Sequence, residues 1–131
     1  MKGYVANIEK ETLENTCFRK VIYTGKYSQL VLMSLQPGEE IGDEVHTNVD
    51  QFFRFEDGQG VVIIDGVTQP VQDGFAVVVP AGAFHNVKNT SEKVLKLYTI
   101  YSPPEHQDKT VRQTKQEAID KPEEYDNVTT E

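Results

Sequence analysis

The chain is short of cysteine, of cations and of long apolar runs, and each shortage removes a class of answer. Its one cysteine, Cys17, cannot close an internal disulfide. Nothing around it marks a reactive thiol, so it reads as an ordinary small side chain rather than a redox centre. Thirteen Lys and Arg stand against 21 Asp and Glu, a formal charge of −8. A surface so acidic argues against nucleic acid and against an anionic membrane as partner. No apolar stretch approaches the roughly 18 residues that a membrane helix needs. The opening MKGYVANIEKETLEN has no apolar core of a secretion signal. Together these absences predict a soluble, cytoplasmic protein. Repeats of solenoid length and low-complexity tracts are also missing. A length of 131 residues suits one domain.

What is present is a series of short apolar stretches cut by turn residues. Phe18–Thr24 ends at Gly25-Lys26, and Ser28–Gln36 ends at Pro37-Gly38. Gln51–Glu56 ends at Asp57-Gly58, Gly60–Ile64 at Asp65-Gly66, and Val67–Gln72 at Asp73-Gly74. Phe75–Val79 runs into Pro80-Ala81-Gly82, His85–Asn89 ends near Thr90-Ser91, and Lys93–Tyr101 stops at Pro103-Pro104. Asp-Gly between two such runs is the signal of a type I′ hairpin. This spacing predicts an all-β sandwich or barrel over about residues 18–102. Ahead of it an edge strand over Tyr4–Asn7 and a helical turn over Glu9–Glu14 are expected. The polar segment 103–131 is expected to hold a short helix, capped by Thr114-x-x-Glu117 and running to about Asp120, then a solvated tail or a strap on the barrel.

The most informative stretch is GFAVVVPAGAFHNVKN, residues 74–89. A strand enters the Pro80-Ala81-Gly82 turn, and a second strand leaves with His85 and Val87 on one face, since side chains alternate. A histidine aimed into a small barrel beside a tight turn is placed as a metal ligand would be. The pattern Gly74-(x)5-Pro80-x-Gly82-(x)2-His85-(x)3-Asn89 resembles the second motif of the cupin superfamily at every position.

The partner motif of that superfamily, G-(x)5-H-x-H-(x)3,4-E-(x)6-G, is matched with changes by GEEIGDEVHTNVDQFFRFEDGQG from Gly38. Anchored on Asp50-Gln51-Phe52 and Gly58, His46 takes the second histidine position. Glu44 stands where the first histidine would be, and Gln51 where the glutamate would be. Glu44 and His46 are two residues apart on one strand and share a face. Gln51 offers a neutral carbonyl oxygen and lies among Val49, Phe52 and Phe53, where a polar group needs a partner. With His85 the set is two nitrogens and two oxygens. Glu44, His46 and His85 make a two-histidine, one-carboxylate group that suits Fe(II), Mn or Zn. Glu44 serves either as a ligand or as a base. His106, in the polar PPEHQDK, is read as a surface residue.

Further stretches, VIYTGKYSQLVLMSLQPGEEIG, EVHxxVDQFFRFE and LKLYTIYSPPEH, are similar to those of a compact family of small bacterial cupins, some labelled mannose-6-phosphate isomerase-like. The resemblance implies a double-stranded β-helix (a jelly-roll barrel), usually dimeric, with one divalent ion per chain (Zn, Mn, Fe or Ni). It implies no single activity. One reading is an enzyme acting on a small oxygenated metabolite, such as a sugar, sugar phosphate or uronate, with the metal as Lewis acid and Glu44 moving a proton. Phosphomannose isomerases hold zinc with a similar inventory of Gln, Glu and two His, and a uronate-processing cupin also uses Gln. Lys88 and Lys96 are the cations nearest in sequence for a phosphate. A second reading is an Fe or Mn dioxygenase. A third is a small-molecule binder without turnover. Phe53, Phe55 and Tyr98 are expected on the inward face, Phe53 and Tyr98 against the substrate, with Tyr101 as another ring for stacking. Apolar side chains on both faces of Ser28–Gln36, and Phe52 opposite Gln51, suggest a second subunit or cover by the terminal segments, and a homodimer in which terminal strands cross over is expected.

Overall fold

Turn residues break the chain where the apolar stretches end, and the pieces pair as strands. The computed structural model describes residues 1–131. A short helix α1 (Ile8–Glu14) precedes β1 (Arg19–Thr24), β2 (Gln29–Leu35), β3 (Glu44–Val45), β4 (Asp50–Asp57) and β5 (Gln59–Ile64). Then come β6 (Val67–Gln72), β7 (Ala76–Val79), β8 (Phe84–Lys88), β9 (Leu95–Ser102), β10 (Val111–Arg112) and a last helix α2 (Lys115–Asp120). Asp65 and Gly66 both take positive φ, 46° and 82°, as the type I′ turn between β5 and β6 requires.

Two antiparallel sheets result, one in the order β10-β1-β2-β9-β4-β7 and one in the order β3-β8-β5-β6. Their facing surfaces form the double-stranded β-helix. Alternation sets what lies between them: Val31, Met33 and Leu35 from β2, Phe53 and Phe55 from β4, Leu95 and Leu97 from β9, Val62 from β5 and Val87 from β8 share one buried cluster. The inward row of β4 begins with Gln51, and that of β9 ends with Thr99 and Tyr101. One end of the barrel is therefore apolar and the other polar.

The flanks differ from expectation in two places. Tyr4–Asn7 forms no strand, because β1 already has β2 on one side and β10 on the other. Asn7 instead caps α1, its side chain accepting from the Lys10 N–H at 3.1 Å. The helix lies on the outer face of the larger sheet, where Thr12 is fully buried and Lys96 donates to the Asn15 carbonyl. At the other end Thr114 caps α2 as the capping box predicts, accepting from the Glu117 N–H at 3.1 Å. Beyond α2 the chain is a strap: Tyr125 N–H bonds the Glu105 carbonyl and Thr130 N–H the Thr24 carbonyl. No helix is long and apolar enough to cross a membrane.

Candidate metal centre

Three local devices bring the predicted ligands together at the polar end of the barrel. Pairing of β3 with β8 sets Glu44 directly opposite His85. Alternation along β4 turns Gln51 inward, where it is 1 % exposed. The Pro80-Ala81-Gly82 turn does the rest. Gly82 sits at φ 88°, a left-handed conformation that favours glycine. From there its N–H donates to the His46 carbonyl at 2.8 Å, while the Ala81 N–H donates to the Asp50 carboxylate at 2.8 Å. The turn of one motif thus fastens both ends of the loop between β3 and β4 that carries His46.

The ligand atoms of Glu44, His46 and His85 lie within 4.8 Å of one another. His46 Nε2 is 2.9 Å from Glu44 Oε2, and His85 Nε2 is 3.9 Å from the same oxygen. Gln51 Oε1 is 3.1 Å from His85 Nε2. Three of the four groups are also held from behind. His85 Nδ1 donates to the Ala83 carbonyl at 3.0 Å, which turns Nε2 toward the other groups. The Gln51 amide nitrogen donates to Thr99 Oγ1 at 3.0 Å, which turns the Gln51 carbonyl oxygen toward His85. His46 Nδ1 faces Glu105 Oε1 at 3.4 Å. Four ligand-capable atoms therefore converge: two imidazole nitrogens, a carboxylate oxygen and a carbonyl oxygen. The donor set fits a divalent ion of the Zn, Mn or Fe kind. A carboxylate or carbonyl behind each metal-binding histidine is the arrangement that fixes ring orientation.

The electrostatics agree. Contact with Glu105 and Glu44 outweighs burial and raises the His46 pKa to about 9. Burial pushes Glu44 up, but the hydrogen bond to His46 and the charges of His46, Arg19 and His85 bring it below the ordinary carboxylate value. An ionised glutamate beside a proton-holding imidazole is a site where a metal can displace a proton.

The other sequence expectations divide. Phe53 is inward and buried, its ring centroid 6.4 Å from that of His85 and edge-on to it, and Phe55 stacks behind it. Tyr98 is not inward. It shares the outer face of the larger sheet with Phe52, centroids 6.3 Å apart, because Leu97, Thr99 and Tyr101 take the inward positions of β9. His106 is not a surface residue either: it is 9 % exposed, held by the Gln29 side chain through its backbone and by Tyr101 and Glu123 through its ring. Lys88 pairs with Glu40 at 3.6 Å, and Lys96 bonds Asn15 on the outer face, so neither faces the centre. Thr99 and Glu105 were not anticipated. Thr99 was open to detection as the one aliphatic hydroxyl on the inward row of LKLYTIYS, whereas Glu105 follows two prolines in a loop with no period to orient it.

Residues 31–101 match the family described as Cupin domain. The crystal structure of BH2720 from Bacillus halodurans is similar, with a TM-score of 0.90 and 44 % identity over 92 % of this chain and 96 % of that one. The uncharacterised protein YrkC of Bacillus subtilis (strain 168) is 48 % identical over 124 residues, 90 % of this chain and 67 % of its own length. The structure of TT1209 from Thermus thermophilus shares the fold at 23 % identity, with a TM-score of 0.68 over 76 % of this chain and 96 % of that one.

Proposed function

The chain belongs to the cupin family, and from that premise we propose that it holds one divalent metal ion through Glu44, His46, Gln51 and His85 and acts on a small oxygenated metabolite. One observation carries the reading: four ligand-capable atoms converge on one place, and Gln51, His85 and His46 are each tied from behind, to Thr99, Ala83 and Glu105. The ion supplies Lewis acidity toward a carbonyl or hydroxyl oxygen. Glu44 brings the one carboxylate of the set and stands at the mouth with its side chain 28 % exposed, where a ligand enters. Phe53 forms an apolar wall beside His85. Lys88 and Lys96 both point elsewhere, and the buried Arg19 is engaged by Glu123, which favours an uncharged, hydroxyl-bearing compound such as a sugar over a sugar phosphate. We also propose a homodimer formed through the outer face of the larger sheet, where Phe52 and Tyr98 lie.

The test is metal analysis of protein purified without a histidine tag, repeated on His85→Ala and Gln51→Ala. We expect about one ion per wild-type chain. Altering a group behind a ligand costs roughly 10- to 100-fold in affinity, and loss of the His85 ligand should exceed that. Unchanged metal content in both variants would sink the proposal. A second reading, an Fe or Mn dioxygenase, is favoured by the two-histidine, one-carboxylate group itself. Oxygen uptake by iron-loaded protein in the presence of catechol-like or thiol compounds distinguishes the two.

A further inference from the structure

Two arginines stand side by side at the edge of the larger sheet. Pairing of β1 with β10 sets Arg19 directly opposite Arg112. Like charges so placed repel, and an anion between them removes the penalty. That anion is Glu123, from the strap beyond α2, with its side chain 6 % exposed. Arg112 Nη2 donates to Glu123 Oε2 at 3.3 Å, and Arg19 Nη1 stands 3.8 Å from Oε1. His106 Nδ1 donates to the same Oε1 at 2.7 Å. Glu123 is the one carboxylate that pairs with either arginine. Two guanidinium groups therefore share a single anion, and Arg19 Nε is buried without a hydrogen-bond partner. The cradle offers more donors than Glu123 uses.

The barrel builds this cradle without help from its occupant. Strand pairing places the two arginines. Gln29 fixes the loop that carries His106: its side-chain carbonyl accepts the Glu105 and His106 N–H groups at 3.2 and 3.0 Å, and its amide donates to the His106 carbonyl at 2.7 Å. The strap is held more lightly. None of residues 121–131 is buried as a whole. Its links to the barrel are polar: Arg112 to the Lys121 carbonyl, Tyr125 N–H to the Glu105 carbonyl, Thr130 N–H to the Thr24 carbonyl, and the Tyr23 hydroxyl to Glu131. A stretch with exposed hydrogen bonds and little apolar burial opens locally at low free energy. Glu123 is where this stretch grips buried charge.

We propose that Arg19, Arg112 and His106 form a carboxylate-binding site preformed in the barrel wall, and that Glu123 occupies it as a latch. The strap is released when Glu123 leaves the site and closes when it returns. No covalent bond changes; the carboxylate exchanges protein donors for water. Release uncovers His106, whose ring stands edge-on to Tyr101 with centroids 5.0 Å apart. Tyr101 in turn stands edge-on to His46 at 5.9 Å, so the side of the barrel that opens adjoins the candidate metal centre. The latch works with or without an ion in that centre. It also accounts for the arginines being closed to a ligand's anion while the strap is down.

Amide hydrogen exchange of the full chain at neutral pH reads the latch, and acetate reads the site. In the wild type the Tyr125 and Thr130 amides should exchange by local opening, at a rate that low urea leaves unchanged, while those of β4 and β9 wait for global unfolding. In Glu123→Ala the two strap amides should exchange roughly 10- to 100-fold faster, the worth of a charge-assisted hydrogen bond. Acetate, a carboxylate free of the chain, should then fill the empty cradle. At about ten times its dissociation constant it should shift the folding equilibrium of Glu123→Ala about 10-fold toward the folded state. Chloride at equal ionic strength should not, nor should acetate act on the wild type or on Glu123→Ala combined with Arg19→Met. Should Glu123→Ala fold in neither salt, Glu123→Gln keeps the shape without the charge and should free the strap amides in the same way. Strap amides that exchange only with global unfolding, or that keep wild-type protection in the variant that folds, would overturn the latch. An acetate effect no greater than that of chloride, or one that survives Arg19→Met, would overturn the site.

Discussion

His46 is held between two carboxylates, Glu44 at 2.9 Å and Glu105 at 3.4 Å, and that position makes its proton part of the fold. Its pKa rises from 6.5 to about 9 in the folded chain. A raised folded value contributes stability that is fully present below the unfolded value and is lost as pH climbs through the folded one. The urea midpoint of metal-free protein should therefore fall between pH 6.5 and 9, through His46, while metal affinity rises over the same window as the ion displaces that proton. A flat midpoint in chelator-treated protein across this range would count against the arrangement. Glu44, His46, Gln51 and His85 were legible from the sequence because strand alternation and fixed spacings orient them. Glu105, His106 and Glu123 were not, because loops and straps carry no period, and their partners come from distant strands.

Among the elements, turns determine how firmly the centre is assembled, and two glycines show the difference. Gly82 has φ 88° with open space where a Cβ would be, so Gly82→Ala meets only backbone strain, about 1–2 kcal/mol. Gly58 has φ 93°, and a Cβ there would lie 2.7 Å from the Val94 carbonyl oxygen. Gly58→Ala should add an overpacking cost of about 1–3 kcal/mol to the same strain. Urea unfolding of the two variants should rank them in that order, and equal losses would contradict the packing described. The strands themselves were readable, since Asp-Gly and Pro-Gly pairs mark their ends. Tyr98 was misplaced because β9 carries apolar side chains on both faces: Leu95, Leu97 and Tyr101 inward, Tyr98 and Ile100 outward. Alternation gives no contrast in such a strand. The expected N-terminal strand failed for a different reason, because β10, too short to stand out in the sequence, already occupies the edge of β1.

For the whole molecule, the outer face of the larger sheet is the open question that composition alone posed. Part of it is answered within the chain, where α1 packs against β2, β4 and β9 and the outward Leu32 and Ser34 of β2 are both buried. The rest carries Phe52 and Tyr98 in contact and Val78 at 65 % exposure. A second copy seated there would need to bury roughly 800 Å² on each partner. Sedimentation at micromolar concentration should give a dimer, and Phe52→Glu should shift it toward monomer. A stable wild-type monomer would refute the assembly.

The pairings that build the centre join distant parts of the chain: Glu44 with His85 and Gln51 with Tyr101. Contacts of such long separation close late in folding, after their loop-closure entropy has been met. All four candidate ligands are present in a partly folded chain, yet they share no common point until β8 and β9 have found their neighbours. The polar end of the barrel is therefore a product of completed folding, and an ion gripped there stabilises the finished state over every intermediate on the way to it.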